Sequence, residues 1–149
     1  MNLYLSKNMP AYMRVYADFA SNYIGLDKLR GEVLVRLKYG TIDDDSYGLC
    51  WGDNYGAEID IATRTCGESI SREDKLKTLG HELVHAKQYL KRELVAPKAP
   101  THCERWQGIN IYYDPQIESD MPWELEATKL EDEIYNAFLK WSINKETCL

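Results

Sequence analysis

Five consecutive residues, His81-Glu82-Leu83-Val84-His85, carry the clearest chemistry in this chain. On a helix, residues four apart lie on one face, so the two imidazoles converge on a single point. Two neutral imidazoles there can hold a Zn²⁺ ion, and Glu82 beside them can serve as general base toward a water that the metal activates. A constellation of this kind hydrolyses peptide bonds. The alternative is an ordinary polar helix face on which the pattern has no chemical meaning.

A catalytic zinc takes three protein ligands and keeps a fourth position open. One histidine remains outside the motif, His102, and the other candidates are carboxylates in the run Pro122-Trp123-Glu124-Leu125-Glu126-Ala127. Residues two apart on a helix point in different directions, so only one of Glu124 and Glu126 can face the ion. Helical projection sets Glu126 nearer the apolar stripe of its own helix than Glu124. Two first-turn glutamates complementing the helix dipole would explain their position, but not their pairing with the histidine motif.

The elements that must position these groups follow from periodicity. A first helix is expected near residues 9–29, capped by Asn8, with Pro10 in its first turn and Met13, Tyr16, Phe19/Ala20 and Tyr23 at helical spacing. Residues 32–39 alternate Val33, Val35 and Leu37 with Leu34, Arg36 and Lys38, the pattern of a strand. Asp43-Asp44-Asp45 lacks the closing Glu of a calcium loop and reads as a solvated turn. Further strands are expected at 47–51 and 55–62, joined through Gly52-Asp53-Asn54. Ser71 with Asp74 signals the start of a long helix to about Leu94, whose stripe Leu76, Leu79, Leu83, Ala86, Leu90 and Leu94 leaves His81 and His85 on another side. Gly80, a weak helix former, would let another element approach closely. A short strand at 109–113 and a last helix from Pro122, capped by Asp120, complete the chain.

A helix bearing this motif, followed some tens of residues later by Glu-x-Glu-Ala, resembles the gluzincin-type metallopeptidases. Among them are the ImmA/IrrE-like group and small SprT-like metallopeptidases of phages and bacteria. The resemblance covers residues 76–94, with His81-Glu82-Leu83-Val84-His85-Ala86-Lys87-Gln88-Tyr89 at its centre, and residues 121–134. In gluzincins the third ligand is a Glu three residues before an Ala, with apolar positions six and ten residues after it. Glu124, Ala127, Leu130 and Ile134 match, which favours Glu124 over Glu126. Thr128 departs from the Asp or Asn that many members carry four residues after the ligand. SprT-type members use a third histidine, and His102-Cys103-Glu104-Arg105-Trp106 is loosely similar to that region, so His102 stays a competitor; the cysteine pairs of their zinc ribbon are absent.

The resemblance implies an α+β, zincin-like minimal metallopeptidase domain spanning 1–149. In it a small, mostly antiparallel sheet packs on the motif helix, flanked by the N- and C-terminal helices. It implies one Zn²⁺ held by His81, His85 and Glu124, with Glu82 the catalytic base in a metalloendopeptidase. Tyr112, Tyr113 and Arg105 are candidate donors to the transition state, and strand 57–62 is the candidate edge for pairing with a peptide or protein substrate. The alternative function is a zincin-fold binding or regulatory protein of weak or no activity, acting on a host factor; the intact Glu82 argues for turnover.

Composition agrees with a soluble globular chain: 44% hydrophobic and 28% charged residues in 149. A net charge of −6 argues against nucleic acid as a partner, and Lys87, Lys91 and Arg92 read as a solvated face. No segment has the form of a signal peptide or membrane span, so the expected location is the cytoplasm of a bacterial or phage-infected cell. Cys50, Cys66, Cys103 and Cys148 are scattered and expected as free thiols.

Overall fold

Alternation of buried and half-exposed positions makes Glu32–Lys38 and Gly56–Ala62 strands, and their apolar sets Val33, Val35, Leu37 and Ala57, Ile59, Ile61 share one face. The computed structural model describes residues 1–96, 103–112 and 115–147. In chain order the elements are β1 (Asn2–Leu5), α1 (Ala11–Tyr23), β2 (Glu32–Lys38), β3 (Gly48–Gly52), β4 (Gly56–Ala62), β5 (Arg64–Thr65), β6 (Glu68–Ser69), α2 (Arg72–Leu90), β7 (Leu94–Val95), β8 (Cys103–Trp106), β9 (Ile109–Tyr112) and α3 (Pro122–Thr147). The class is α+β. His102, Tyr113 and Cys148 lie outside the described residues.

The main sheet has the order β1-β2-β4-β3. It is mixed, not mostly antiparallel as expected: β1 with β2 and β2 with β4 are parallel, and only β3 with β4 is antiparallel. The reason is β1, which the sequence reading lacks. A four-residue strand is too short to show a period, yet it turns α1 into the crossover of a β-α-β unit. The hairpin then folds so that β4, not β3, sits against β2, which leaves β3 at the edge. Antiparallel pairing otherwise belongs to the small sheets β5-β6 and β7-β8-β9.

On the apolar face of the main sheet, α2 is the central element, packed against β3, β4, α1 and α3. It starts as its sequence indicates, with Ser71 Oγ accepting from the Asp74 N–H at 3.1 Å. It is buried on more than one stripe: Leu76, Leu79, Leu83, Val84 and Ala86 on apolar faces, but also Glu82, His85 and Gln88. Leu94 falls beyond its end, in β7. At Gly80 a Cβ would stand 3.2 Å from Tyr16 Oη of α1 and 3.6 Å from Ile134 Cδ1 of α3, so three helices meet there on the space a side chain would fill. Asn8 does not cap α1. Its Nδ2 donates to Leu37 O at 2.8 Å and its Oδ1 accepts from Ser6 Oγ at 2.6 Å, tying this segment to β2.

Leu94, Trp106, Met121 and Trp123 form a second, smaller core that seats the β7-β8-β9 sheet against the start of α3. Asp43–Asp45 is an exposed turn. Among the described residues, no helix is long and apolar enough to cross a membrane.

Candidate metal centre

One turn of α2 sets His81 Nε2 and His85 Nε2 3.1 Å apart. The first turn of α3 brings a carboxylate to both: Glu124 Oε2 is 3.1 Å from His81 Nε2, and Glu124 Oε1 is 3.0 Å from His85 Nε2. Tetrahedral zinc with ligands at 2.0–2.1 Å separates its donor atoms by about 3.3 Å, so this triangle is close to one that would close around the ion. Among the described residues no other group of three or more histidine, cysteine or carboxylate donors converges in this way.

The outward nitrogens are also held. His81 Nδ1 meets Glu131 Oε2 at 2.8 Å, and His85 Nδ1 meets Gln88 Oε1 at 2.8 Å. A carboxylate and an amide oxygen can only accept, so the hydrogen sits on Nδ1 in both rings and the Nε2 lone pairs can be turned to the centre. Gln88 is fully buried, and its amide orientation is fixed because Nε2 donates to Trp123 O at 3.0 Å and Glu126 Oε1 at 3.2 Å. Of the two glutamates in Glu-x-Glu, the fold therefore carries Glu124 to the imidazoles and Glu126 to Gln88. Helical projection, which sets Glu126 nearer the apolar stripe, does not choose the metal-facing residue: both glutamates are half-buried on a helix whose buried positions include Trp123, Ala127 and Ile134.

Charge is concentrated here. Burial opposes a charge on His81, but hydrogen bonds to Glu124 and Glu131 outweigh it and lift the imidazole to about 10. His85 moves up likewise, its burial overcome by Glu124 and Glu82. Burial would raise Glu124, yet the two imidazoles hold it down at about 2. These shifts are one ion-paired cluster seen from its several members. Without metal the imidazoles hold protons that a bound cation would displace.

Glu82 lies beside the cluster with its carboxyl pushed up by burial and partly restored by His85 and His81. It is positioned by β3: a Cβ on Gly48 would come within 2.6 Å of Thr78 Cγ2 and 3.0 Å of Glu82 Oε1, so the strand can lie over the motif only with glycine at that point. A cavity of about 120 Å³ adjoins the centre, lined by Cys50, His85, Tyr89, Leu94, Glu104, Glu118, Trp123 and Glu124. Burial first, then Cys50 and Glu104, raises the Tyr89 phenol, so it stays a neutral O–H in that wall. A roomier depression of about 530 Å³ around Tyr4 and Trp51, on the opposite sheet face, shares no residue with it.

Of the expected transition-state donors, Arg105 and Tyr112 are exposed and absent from the cavity lining. Gln88, Tyr89 and Glu131 are the groups sequence reasoning missed. Their signal was helical spacing: Gln88 and Tyr89 stand three and four residues after His85, and Glu131 two turns after Glu124. Glu131, rather than a residue at the position of Thr128, takes up the first imidazole. No protein-family model matches the chain, and no curated protein matches it in sequence.

Proposed function

We propose that the protein is a zinc-dependent metallopeptidase, with one Zn²⁺ held by His81, His85 and Glu124 and Glu82 as general base. The observation that carries this reading is the convergence of those three donors, within 4.8 Å of one another, beside a buried carboxylate. When bound, zinc supplies Lewis acidity toward the scissile carbonyl and an acidified water at neutral pH.

The chain's own groups do the rest. Glu131 and Gln88 orient the imidazoles. The Glu82 carboxylate takes a proton from the attacking water and delivers it to the leaving amine. Tyr89, held protonated, is the O–H donor available to the developing oxyanion.

Substrate backbone pairs with β3, not with the strand at Ala57–Ala62 as first expected, because β4 has neighbours on both edges. Ladder bonds Ala62 N–H to Tyr47 O and Asp53 N–H to Gly56 O direct the odd-numbered groups of β3 inward. The backbone groups of Gly48, Cys50 and Gly52 therefore face outward, without a ladder partner among the described residues, and can receive an extended peptide.

Metal content by plasma mass spectrometry, with casein hydrolysis, tests the reading. One zinc per chain is expected in the wild type and in Glu82→Gln, with hydrolysis only in the wild type. Zinc should be lost in His85→Ala and Glu124→Ala. Equal cleavage by wild type and Glu82→Gln would sink the mechanism, and zinc retained in Glu124→Ala would remove Glu124 from the ligand set.

A further inference from the structure

Beyond the carboxyl ends of β2 and β4 lies a cavity of about 720 Å³ that shares no residue with the one at the metal centre. Tyr39 and Gly40 follow β2 into it, Thr63 and Arg64 follow β4, and α1 and α2 both begin at the same end of the sheet. Arg72, in its wall, stands nine residues before His81 on α2, about 13 Å along the helix axis. The volume lies within the range of small-molecule sites, roughly 300–1,000 Å³.

Charge sets this cavity apart from the rest of the chain. The net charge is −6, yet Arg64, Arg72 and Lys75 line the cavity and no aspartate or glutamate does. Arg72 Cζ stands 4.0 Å from the centroid of the Tyr12 ring and Lys75 Nζ 5.7 Å from it, so one aromatic ring gathers two cations. Arg64 is steadied by its Nη2, which donates to Gly67 O at 2.7 Å. Among the described residues the lysines and arginines in ion pairs are Arg36, Lys77 and Lys91, so no carboxylate neutralises these three charges. Folding has brought like charges together without compensation, and a bound polyanion would turn that repulsion into attraction. The Thr63 hydroxyl accepts from the Gly40 N–H at 2.7 Å and keeps its own hydrogen to donate.

Beside the cations, Tyr39 leaves 79% of its surface exposed, and Pro10, Leu37 and Ile70 supply apolar wall. A ring platform next to a cationic seat suits an aromatic base joined to phosphates. The acidic balance of the whole chain repels a long polyanion, which favours a ligand whose charge is confined to one cavity. We infer that this cavity binds a nucleoside di- or triphosphate, with its phosphates on Arg64, Arg72 and Lys75 and its base on Tyr39. The site stands independently of the peptidase reading.

Calorimetric titration of the zinc-loaded protein tests it, with ADP, pyrophosphate, adenosine and a short single-stranded oligonucleotide as probes. ADP should bind at least about tenfold more tightly than pyrophosphate or adenosine. Its affinity should fall about tenfold or more in Arg72→Gln and in Lys75→Gln, as loss of a charge-assisted bond implies. Tyr39→Ala, an exposed substitution, should weaken ADP about fivefold or more and leave pyrophosphate unchanged. ADP binding should persist with chelator present, because the cavity contains none of the metal-centre residues. Absence of ADP binding, or binding indifferent to both cation substitutions, overturns the inference. So does ADP binding that chelation abolishes, which would put the phosphates on zinc. Pyrophosphate as tight as ADP overturns the nucleoside assignment, and an oligonucleotide tighter than ADP overturns the small ligand.

Discussion

His81 is held between two carboxylates, Glu124 on Nε2 and Glu131 on Nδ1, and that placement sets its pH behaviour. In the metal-free protein its folded value of about 10 exceeds the ordinary 6.5, so its contribution to stability is complete below 6.5 and fades as pH rises toward 10. Glu124, at about 2 against an ordinary 4.5, contributes fully above 4.5 and loses that contribution as pH falls toward 2. The ion pair is one interaction, so the two contributions are not summed; it is fully formed between pH 4.5 and 6.5. The difference in melting temperature between wild type and Glu124→Gln, with chelator present, should be largest in that window and shrink on both sides. Zinc affinity should move the other way, rising with pH because the imidazoles must release protons to bind it. A pH-independent zinc affinity by competition titration would contradict this. Gln88→Met keeps the volume but removes the acceptor for His85 and the donor to Trp123 O. It should destabilise the protein by about 1–3 kcal/mol for the orphaned buried groups. It should also weaken zinc binding about 10–100-fold, measured by the same titration.

At the scale of elements, the site depends on how close α2 can come to its neighbours. Gly80 admits Tyr16 and Ile134, and Gly48 admits Glu82 and Thr78. The sequence marks Gly80 as a break in helix propensity, and close approach is the physical reason for it. Gly48 looks like ordinary strand punctuation until β3 is laid across the motif. Gly48→Ala should push the Glu82 carboxylate from its position and lower kcat by about 100-fold, the scale of a 1 Å misplacement, while zinc content stays at one per chain. Loss of zinc along with activity would show instead that β3 supports the imidazoles.

At the scale of the whole molecule, strand order decides which backbone is open. Because β4 is interior, β3 is the edge on that side of the main sheet among the described residues, and its outward groups alternate at Gly48, Cys50 and Gly52. A substrate lying there must pair through every second amide. In a synthetic peptide series, N-methylation of the pairing amides should raise KM by about two- to tenfold each, as the net worth of one hydrogen bond implies, and methylation of the intervening amides should not. A series with no alternation would remove β3 as the substrate edge.

The sequence by itself determined the local things. Periodicity marked β2, β4 and α2; Ser71 and Asp74 marked the start of α2; and the four-residue spacing of His81 and His85 aimed both rings at one point, because each depends only on neighbours along the chain. The tertiary structure decided what depends on residues far apart. Glu124 rather than Glu126 reaches the histidines because packing of α3 on α2 sets its rotation. Glu131 becomes an orienting group because its partner His81 lies 50 residues away on another helix, and Gln88 is locked in place by Trp123 O, 35 residues away. Glu104 and His85 line one cavity because β8 pairs with β7 just beyond the end of α2. The parallel pairing of β1 with β2, carried by four residues with no readable period, likewise emerges only when α1 crosses the sheet.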